Sequence, residues 1–446
     1  MAYRLDDLAA LAHELGLATK WEDADSLDVV VHEGCVLSFC NLEGDTMMGF
    51  EGTPWHHHGV LSLETGDNTY IECDELDVLI GLGSGDLLIV SSIVNGEVRD
   101  RWISHREQDL EVRHIASGEE LRVFRLPEPN AGLKSMFVMM NHARLWVGLQ
   151  GLAQAERSRQ AALDYARERR QGRAARGSAK PDKPADLIVD HADVRRMLLT
   201  QKAFIEASRV LTYFAGMQMD KAKYHPDPAE RQRGADLLAI LTPVVKAFVT
   251  DMAVEVTNLG IQVHGGYGYI RETGVEQFMR DARIACIYEG TNGVQALDLL
   301  GRKVLGSGGQ LARLLGGLIG AFCQNHAGYE EMADFVPRLA GLLKEWSEAT
   351  EQVAQRAARD PDEIGAAAAD YLQFTGYLCL AWCWAKMAAV AIAALRNSPD
   401  DPAFYQAKVA TARFFFARLL PRAEAHLDAL QSGSASVMAL STGQLG

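Results

Sequence analysis

The chain of 446 residues lacks the cysteine patterns of a disulfide framework or a zinc site. Its seven cysteines include no Cys-x-x-Cys pair and show no even spacing, and they stand at positions 35, 40, 73, 286, 323, 379 and 383. Isolated cysteines of this kind are typical of reduced, buried side chains in a cytoplasmic protein. Neither redox nor zinc chemistry by cysteine is supported, and we predict no metal site.

Long hydrophobic runs are also missing. No uninterrupted apolar segment reaches the roughly 20 residues of a membrane helix. The first residues, MAYRLDDLAALAHELG, contain neither the basic nor the apolar region of a secretory signal. We therefore expect a soluble protein that stays in the cytoplasm and binds no membrane.

Basic residues are scarce in one part of the chain only. Residues 1–126 contain 8 Lys and Arg against 25 Asp and Glu, a net charge of −17, whereas the rest of the chain has a net charge of +2. A strongly acidic domain repels nucleic acid and anionic membranes, and it suits a basic protein partner. An acidic soluble domain without a special partner explains the charge equally well, because net charge governs association and solubility and not the fold. The contrast indicates two parts of different origin.

The acidic part is predicted to form a small, mostly β domain of unknown function over residues 1–126. Apolar residues at helical spacing followed by a glycine predict one short helix, Leu5–Leu15. Runs rich in β-branched and aromatic residues predict strands at Asp28–Val31, Cys35–Asn41, Gly59–Leu63, Leu87–Val94, Val98–Ser104, Leu110–Ile115 and Leu121–Leu126.

Two short motifs in this part look like binding sites but have simpler interpretations. Trp55-His56-His57-His58 offers three imidazoles, yet consecutive side chains point in different directions and no spaced acid or cysteine accompanies them. A solvated loop is the better interpretation. Gly81-Leu82-Gly83-Ser84-Gly85 follows an apolar run as a phosphate loop does, but it leads into a predicted strand and not into a helix. A plain turn is the expected structure there.

From about Pro127 the chain is predicted to be helical for most of its length. Residues 127–132, PEPNAG, form a breaker cluster and the best domain boundary. Long amphipathic patterns predict an up-and-down bundle for residues 127–320, with helices at Leu133–Arg170, from His191, over Ala235–Asn258 and after Thr291. Thr242-Pro243 either kinks the third helix or caps it. Residues 321–446 contain further helical patterns and predict a second bundle for packing or subunit association.

The stretch Gln262–Asn292 combines a glycine-rich start with an isolated acid near its end. Glycines at 265, 266 and 268 let the backbone approach a bound group closely. Glu289 follows two apolar residues, which would desolvate its carboxylate and raise its basicity, and Thr291 is placed to cap the next helix. Such a carboxylate is a candidate general base beside a cofactor.

This stretch closely resembles the C-terminal signature of the acyl-CoA dehydrogenases, and the resemblance extends from about Pro127 to the end of the chain. It implies the family's C-terminal four-helix domain for residues 127–320 and the extra C-terminal domain of longer members for residues 321–446. Residues 1–126 do not resemble the family. The expected fold is therefore multidomain α+β, with a small acidic mostly-β N-terminal domain, an all-α acyl-CoA-dehydrogenase-like helical bundle and a second helical bundle.

The resemblance also implies a reaction. Glu289 of an FAD-dependent acyl-CoA dehydrogenase would take the α-proton of an acyl-CoA while the β-hydrogen leaves as hydride to FAD. The product would be the trans-2-enoyl-CoA, and the electrons would pass to an electron-transfer flavoprotein. A homodimer or homotetramer is expected on the same grounds.

The resemblance assigns further site residues. On the substrate side, MMNHARLWVGLQG matches the family's acyl-CoA segment and implies Asn141 and Arg144, with a structural ion pair as the alternative. Arg169 matches an arginine that meets the flavin's pyrophosphate from a neighbouring subunit; a guanidinium suits phosphate because it stays charged and can hold two oxygens at once. The alternative for it is a solvated basic helix end. The full set on the cofactor side is Arg169, Gln171, His191, Gln262, Gly265, Gly266, Thr291 and Asn292.

A second hypothesis is a non-catalytic fusion, in which an acidic protein-binding domain is joined to a truncated scaffold derived from a dehydrogenase. The break in charge and the end of the resemblance near Pro127 support it. This hypothesis predicts no flavin and a basic partner, whereas the first predicts a yellow protein.

Overall fold

The computed structural model describes residues 2–32, 35–43, 45–65, 69–106, 119–124, 131–175, 177 and 180–444, with the backbone alone at 32, 119, 131–139 and 141. The chain divides into two compact units, Met1–Val138 and Met139–Gly446. A β-rich region is followed by helical bundles, so the expected multidomain α+β class is confirmed.

The described part of the chain before residue 131 contains short strands and two helices. Its helices are α1 (Leu5–Glu14) and α2 (Glu75–Ser84), and its strands are β1 (Ala18–Asp23), β2 (Ser26–His32), β3 (Cys35–Leu42), β4 (Asp45–Phe50), β5 (His56–His58), β6 (Leu61–Glu64), β7 (Tyr70–Cys73), β8 (Leu87–Val94), β9 (Glu97–His105) and β10 (Glu119–Phe124). The predicted strand Leu110–Ile115 lies outside the described residues.

The described strands form three antiparallel sheets, with strand orders β1-β2-β3-β4-β5, β10-β8-β9 and β6-β7. In β3, Cys35, Leu37 and Phe39 are buried and the residues between them are not. This period of two turns one face of the large sheet towards a core that also contains apolar side chains of α1 and α2.

Helix α2 occupies the segment for which the glycine motif predicted a plain turn, so that prediction is wrong except at its last residue. Gly81 and Gly83 lie inside the helix. A Cβ atom at Gly81 would come within 2.5 Å of Leu87, and one at Gly83 within 2.7 Å of Leu15. These glycines therefore allow close packing. Gly85, with a φ of +79°, forms the turn that ends the helix.

The histidine motif forms the short strand β5, so the predicted loop is wrong, whereas the expected solvent exposure is confirmed for His56 and His58. Alternate residues of a strand share a face, and the ring centroids of His56 and His58 lie 5.4 Å apart. Nδ1 of His58 lies 2.7 Å from Oδ2 of Asp45, an acid partner that the sequence spacing did not reveal. Within the described ranges, no group of three His, Cys, Asp or Glu side chains could hold a metal ion.

From residue 131 onwards the described chain is helical apart from its connections. The α-helices are α3 (Ala131–Glu168), α4 (Ala192–Tyr224), α5 (Pro228–Pro243), α6 (Val249–His264), α7 (Gly266–Tyr269), α8 (Val275–Ala285), α9 (Asn292–Leu297), α10 (Gln310–His326), α11 (Val336–Ala357), α12 (Asp362–Arg396), α13 (Pro402–Phe414), α14 (Arg422–Gln431) and α15 (Ala435–Met438). Three π-helical segments continue such helices, at Val244–Phe248, Asp298–Leu305 and Phe415–Leu419.

Two helical segments of this part contain long apolar stretches. Within the described residues, Pro228–His264 and Asp362–Arg396 are long and apolar enough to cross a membrane by length and composition alone. Of their most apolar windows, however, 78% and 56% of the residues are buried inside the protein. Apolar and largely buried stretches of this kind are typical of the core helices of a bundle.

The helix predicted over Ala235–Asn258 is longer at both ends. It begins at Pro228, where Oδ1 of Asp227 accepts a hydrogen bond from the backbone N–H of Ala229 at 2.9 Å. Pro243 lies inside the helix, so the alternative in which Thr242-Pro243 forms a cap is wrong. Proline has no N–H to donate, and the wider π turn that follows accommodates it.

Candidate active site

The loop Cys286–Thr291, which we call the acid loop, joins α8 to α9 and carries the predicted base. Glu289 has a φ of +58° and Gly290 a φ of +82°, so two successive residues lie in the left-handed region. A non-glycine residue there costs about 1–3 kcal/mol and persists only where its surroundings fix it. The backbone N–H of Asn292 donates to the carbonyl of Cys286 at 3.0 Å and closes the loop.

One carboxylate oxygen of Glu289 is buried without a hydrogen-bond partner in the described part of the chain. This atom, Oε2, accepts no hydrogen bond from the described residues. Ile287 and Tyr288 are 47% and 37% exposed, and the hydroxyl of Tyr288 donates to Oε1 of Gln150 on α3. The apolar neighbours in sequence therefore do not enclose the carboxylate as expected. A buried acceptor without a donor is costly, and this one is suited to accept a proton or to bind a ligand.

Lys246 is a functional candidate that sequence reasoning missed. It lies on the π turn Val244–Phe248 and is fully buried. Its Nζ donates a hydrogen bond to Oδ1 of Asn292 at 2.8 Å. Burial lowers the pKa of Lys246 to about 8, and the nearby acidic groups, Glu289 among them, act in the opposite direction.

Asn292 joins this lysine to the half-buried carboxylate of Asp251. Its Nδ2 donates to Oδ1 of Asp251 at 2.7 Å, and Oδ2 of Asp251 accepts from Nε2 of Gln373 on α12 at 2.8 Å. Burial raises the pKa of Asp251, while these two hydrogen bonds act to lower it. The network therefore ties α6, the start of α9 and α12 together at the end of the acid loop.

Thr291 and Asn292 were both predicted to lie against the flavin. Oγ1 of Thr291 accepts a hydrogen bond from the backbone N–H of Val294 at 3.4 Å, so its predicted role as a helix cap is confirmed. The side chain of Asn292 is used by the protein's own network. Their contact with a flavin stays a prediction.

Arg144 is buried on α3 beside the acid loop. Its Nη1 lies 3.7 Å from Oδ2 of Asp298, so the structural ion pair is present, and its contact with a substrate stays a prediction. Its Nη2 lies 3.8 Å from the position of a Cβ atom at Gly290. The predicted side chain of Asn141 lies outside the described residues.

Gln295 is a second polar group that sequence reasoning missed. It is fully buried on α9, and neither its amide oxygen nor its amide nitrogen has a hydrogen-bond partner within the described chain. Its Nε2 lies only 2.6 Å from where a Cβ atom of Gly290 would be. Glycine at this position therefore lets the amide reach the backbone of the acid loop.

The remaining predicted cofactor residues meet elsewhere, in a cleft of about 530 Å³ beside the end of α6, which we call the glycine cleft. Its lining includes Arg169, Gln171, Gln262, Gly265 and Gly266. The ring of His191 lies next to this lining, with Nε2 at 2.8 Å from the carbonyl oxygen of Gln171. No residue of the acid loop lines the glycine cleft, so the structure divides the predicted residues between two places.

The residues of the glycine cleft fit the phosphates of FAD. The side chain of Arg169 is exposed and forms no ion pair with an acid in the described part of the chain. Gly265 has a φ of +61°, and no other atom lies within 4 Å of a Cβ atom built at Gly265 or Gly266. An available guanidinium beside open backbone is suited to bind an anionic group.

Known families match the helical part of the chain. Residues 130–305 match the model of the acyl-CoA dehydrogenase C-terminal domain. Residues 315–441 match the model described as acetyl-CoA dehydrogenase C-terminal like.

Curated relatives carry names of the same kind. The 3-methylmercaptopropionyl-CoA dehydrogenase of Ruegeria pomeroyi is 43% identical over 297 residues, which cover 66% of this chain and 49% of that protein. A butyryl-CoA dehydrogenase of Syntrophomonas wolfei is 32% identical over 316 residues, which cover 69% and 50%. The chain spans about half the length of the curated relatives it matches.

Two solved structures share the fold. An acyl-CoA dehydrogenase from Bacillus anthracis complexed with FAD superimposes with a TM-score of 0.53 at 16% identity, over 84% of this chain and 66% of that one. Caenorhabditis elegans ACDH-11 in complex with C11-CoA gives a TM-score of 0.50 at 16% identity, over 90% and 60%. Through its helical part, residues 130–441, the chain belongs to the acyl-CoA dehydrogenase family.

Proposed function

We propose that this chain acts as an FAD-dependent acyl-CoA dehydrogenase that forms a trans-2-enoyl-CoA, with Glu289 as the base for the α-proton. The observation that carries the proposal is the buried, unpartnered Oε2 of Glu289 on a backbone of positive φ. Strain of this kind clusters at functional sites. The names of the two relatives, both dehydrogenases of CoA esters, support the substrate class.

The chain's own part in the reaction is to hold and receive a proton. Oε2 of Glu289 has no donor among the described residues, so it is open to the acidic C–H next to a thioester carbonyl. Arg144 and the amide of Gln295 lie against the same loop and give it polar, buried surroundings. FAD, when bound, supplies the acceptor for the β-hydrogen as hydride.

The glycine cleft is assigned to the phosphates of an FAD that serves the acid loop of a neighbouring subunit, as the resemblance implies for Arg169. Arg169 would neutralise phosphate charge, and the open backbone at Gly265 and Gly266 would allow close approach. Gln171, whose carbonyl contacts His191, and Gln262 provide neighbouring amides. An electron-transfer flavoprotein as electron acceptor, a homodimer or homotetramer, and a cytoplasmic location are parts of the same proposal.

The visible absorption spectrum of the purified chain, with and without added FAD, tests the proposal. We expect a flavin band that a matching acyl-CoA bleaches. Glu289→Gln should abolish bleaching but keep the flavin, whereas Glu348→Gln, at an exposed glutamate of α11, should bleach like the wild type. Bleaching by Glu289→Gln would refute the assignment of the base.

The alternative is a non-catalytic fusion of an acidic, protein-binding domain with a scaffold derived from a dehydrogenase. One observation favours it: the family matches begin at residue 130, after an acidic β-rich region. Absence of a flavin band even after addition of FAD, together with retention of the chain by a basic protein partner, would support this alternative. The same result would refute the proposal that the chain is a dehydrogenase.

A further inference from the structure

Lys246 is a buried cation for which the proposed reaction has no use so far. An ammonium group has three donors, and within the described chain its Nζ donates to one acceptor, Oδ1 of Asn292. The lysine lies on a π turn, a rare widening of a helix that is frequent at functional sites. A buried charge at this position therefore indicates a functional role.

The contact with Asn292 connects Lys246 to the geometry of the base. Asn292 is the first residue of α9, and its backbone N–H closes the acid loop on the carbonyl of Cys286 at 3.0 Å. Glu289 and Gly290 hold a left-handed backbone inside this closure. The side chain that fixes Asn292 therefore helps to fix the strained residue that carries the carboxylate.

The charged and titratable groups near Lys246 lie on three elements. They are Arg144 on α3, Asp251 on α6, and Cys286 and Glu289 on the acid loop. Cys286, Asp251 and Glu289 favour the charged ammonium, and Arg144 opposes it. The direct hydrogen bond of the ammonium is to Asn292, so its effect on the acid loop acts through that side chain.

We propose that Lys246 is a positioning residue for the base, whose ammonium fixes Asn292 at the end of the acid loop and so holds the strained backbone of Glu289 in place. The inference rests on the proposed function. Since burial lowers the pKa of Lys246 to about 8, this support is complete below that pH and is lost as the pH rises through it.

Helix α12 holds the lysine's turn from another side. The ring of Phe248, on the same π turn, would lie 2.2 Å from a Cβ atom at Gly376, so only glycine lets this ring reach the backbone of α12. Gln373, one turn earlier on α12, holds Asp251 at 2.8 Å. The C-terminal bundle thereby contributes to the placement of Lys246.

The first test measures the contact of Lys246 with Asn292 without any reaction. The chain is labelled with ¹³C at lysine Cε, and the pKa of each lysine is read from an NMR titration in the wild type and in Asn292→Ala. We expect one lysine that titrates near pH 8, apart from ordinary lysines near about 10.4, and its pKa should fall in the variant because the ammonium loses its hydrogen-bond acceptor. An unchanged pKa would overturn the inference. Lys246→Met assigns the resonance; if that variant does not fold, the outlying pKa identifies it.

The second test is the pH dependence of flavin reduction by acyl-CoA in single turnover. The wild-type rate should fall above pH 8, and Lys246→Met should be at least about tenfold slower at pH 7 and lack the fall. The exposed Lys344 on α11 gives the control variant Lys344→Met, which should behave like the wild type. Retention of the alkaline fall in Lys246→Met would also overturn the inference.

The two tests separate the inference from the function on which it rests. If the pKa of Lys246 responds to Asn292→Ala but acyl-CoA never reduces the wild type, the dehydrogenase proposal fails and the contact of Lys246 with Asn292 is upheld. If the wild type is reduced and the pKa does not respond, the role of Lys246 alone is refuted.

Discussion

The acid loop and the glycine cleft both contain left-handed backbone, but their surroundings differ. In the acid loop, Gly290 has the amide of Gln295 within 2.6 Å of its Cβ position, and the loop is closed by a backbone hydrogen bond. In the cleft, no atom lies within 4 Å of a Cβ position at Gly265, and Arg169 is exposed.

The two sites therefore differ in how many contacts within the chain hold their residues in place. The base is held in place by contacts within this chain, so substitutions there should lower the free energy of unfolding. The cleft has few internal contacts to lose, so substitutions there should change ligand affinity and leave stability unchanged. A substitution in the acid loop that leaves stability unchanged, or one in the cleft that lowers it, would contradict this comparison.

The largest effect is expected for Asn292→Ala. It removes the acceptor of the buried Lys246 and one donor to the half-buried Asp251, so the ammonium is left without its hydrogen-bond partner. The free energy of unfolding in urea should fall by about 3 kcal/mol. Asn325→Ala, at an exposed asparagine of α10, should change it by no more than about 0.5 kcal/mol. Equal effects of the two variants would contradict the network.

A second prediction concerns pH. The pKa of Lys246 is about 8 in the folded chain against an ordinary value of 10.5, so between these values the unfolded chain binds a proton that the folded chain does not. The free energy of unfolding should therefore rise with pH over this window, by roughly 3 kcal/mol more in the wild type than in Lys246→Met. Urea unfolding of both proteins at pH 7.5 and pH 10 measures the difference. Equal pH dependences of the two proteins would refute the lowered pKa of Lys246 in the folded chain.

Gly290→Ala should have the next largest effect. Alanine disfavours a φ of +82°, and its Cβ would lie 2.6 Å from Nε2 of Gln295. We expect a loss of about 2 kcal/mol in the free energy of unfolding, together with loss of reduction by acyl-CoA. Wild-type stability in this variant would show that the acid loop is not held as tightly as its contacts indicate.

In the glycine cleft, Arg169→Gln should weaken FAD binding by about tenfold, because a charged hydrogen-bonding partner of the phosphates is lost. Its Tm without flavin should equal that of the wild type. Arg167→Gln, two residues away at an exposed position, is the matched control and should bind FAD normally. Equal FAD titrations for the two variants would rule out this role for Arg169.

The smallest effect on stability is expected for Gly266→Ala, the counterpart of the substitution at Gly290. No atom lies within 4 Å of its Cβ position, and its φ is not positive. The free energy of unfolding should change by less than about 0.5 kcal/mol, while FAD binding weakens because the methyl group intrudes on the cleft. A stability loss as large as that of Gly290→Ala would remove the contrast between the two sites.

Regular periodicity made much of the fold predictable. The strand expected at Leu87–Val94 has those bounds, and the helix expected at Leu5–Leu15 ends one residue earlier, at Glu14. Helix α2 was missed because glycines read as turn residues are used there for packing. A signal was present: Asp74 caps α2, and Asp77 accepts a hydrogen bond from the backbone N–H of Asp74 in return, the reciprocal pattern of a helix start.

The candidate site was predictable only where a residue pattern resembles a known family. Glu289 and the cleft residues were predicted in that way, and the structure brings Arg169 and Gln262 together although they are far apart in sequence. Lys246 was missed because a single lysine in a helical pattern is ordinarily a surface residue. Its apolar setting, PVVKAFV, was the available signal, since a lysine is rarely fully buried.

The π turn at Val244–Phe248 also makes the site sensitive to chain length. Each residue of a regular helix turns the chain by about 100°, and a π turn contains one residue more than a regular turn would need. Deleting Val244 or Val245 would let α5 and α6 join as an ordinary helix, but Lys246 and Asp251, five residues apart, would then lie about 140° from each other around its axis. The two groups that Asn292 now bridges would then face different directions. Deleting a single residue would therefore disrupt a hydrogen-bond network that many substitutions elsewhere in the helix would leave intact.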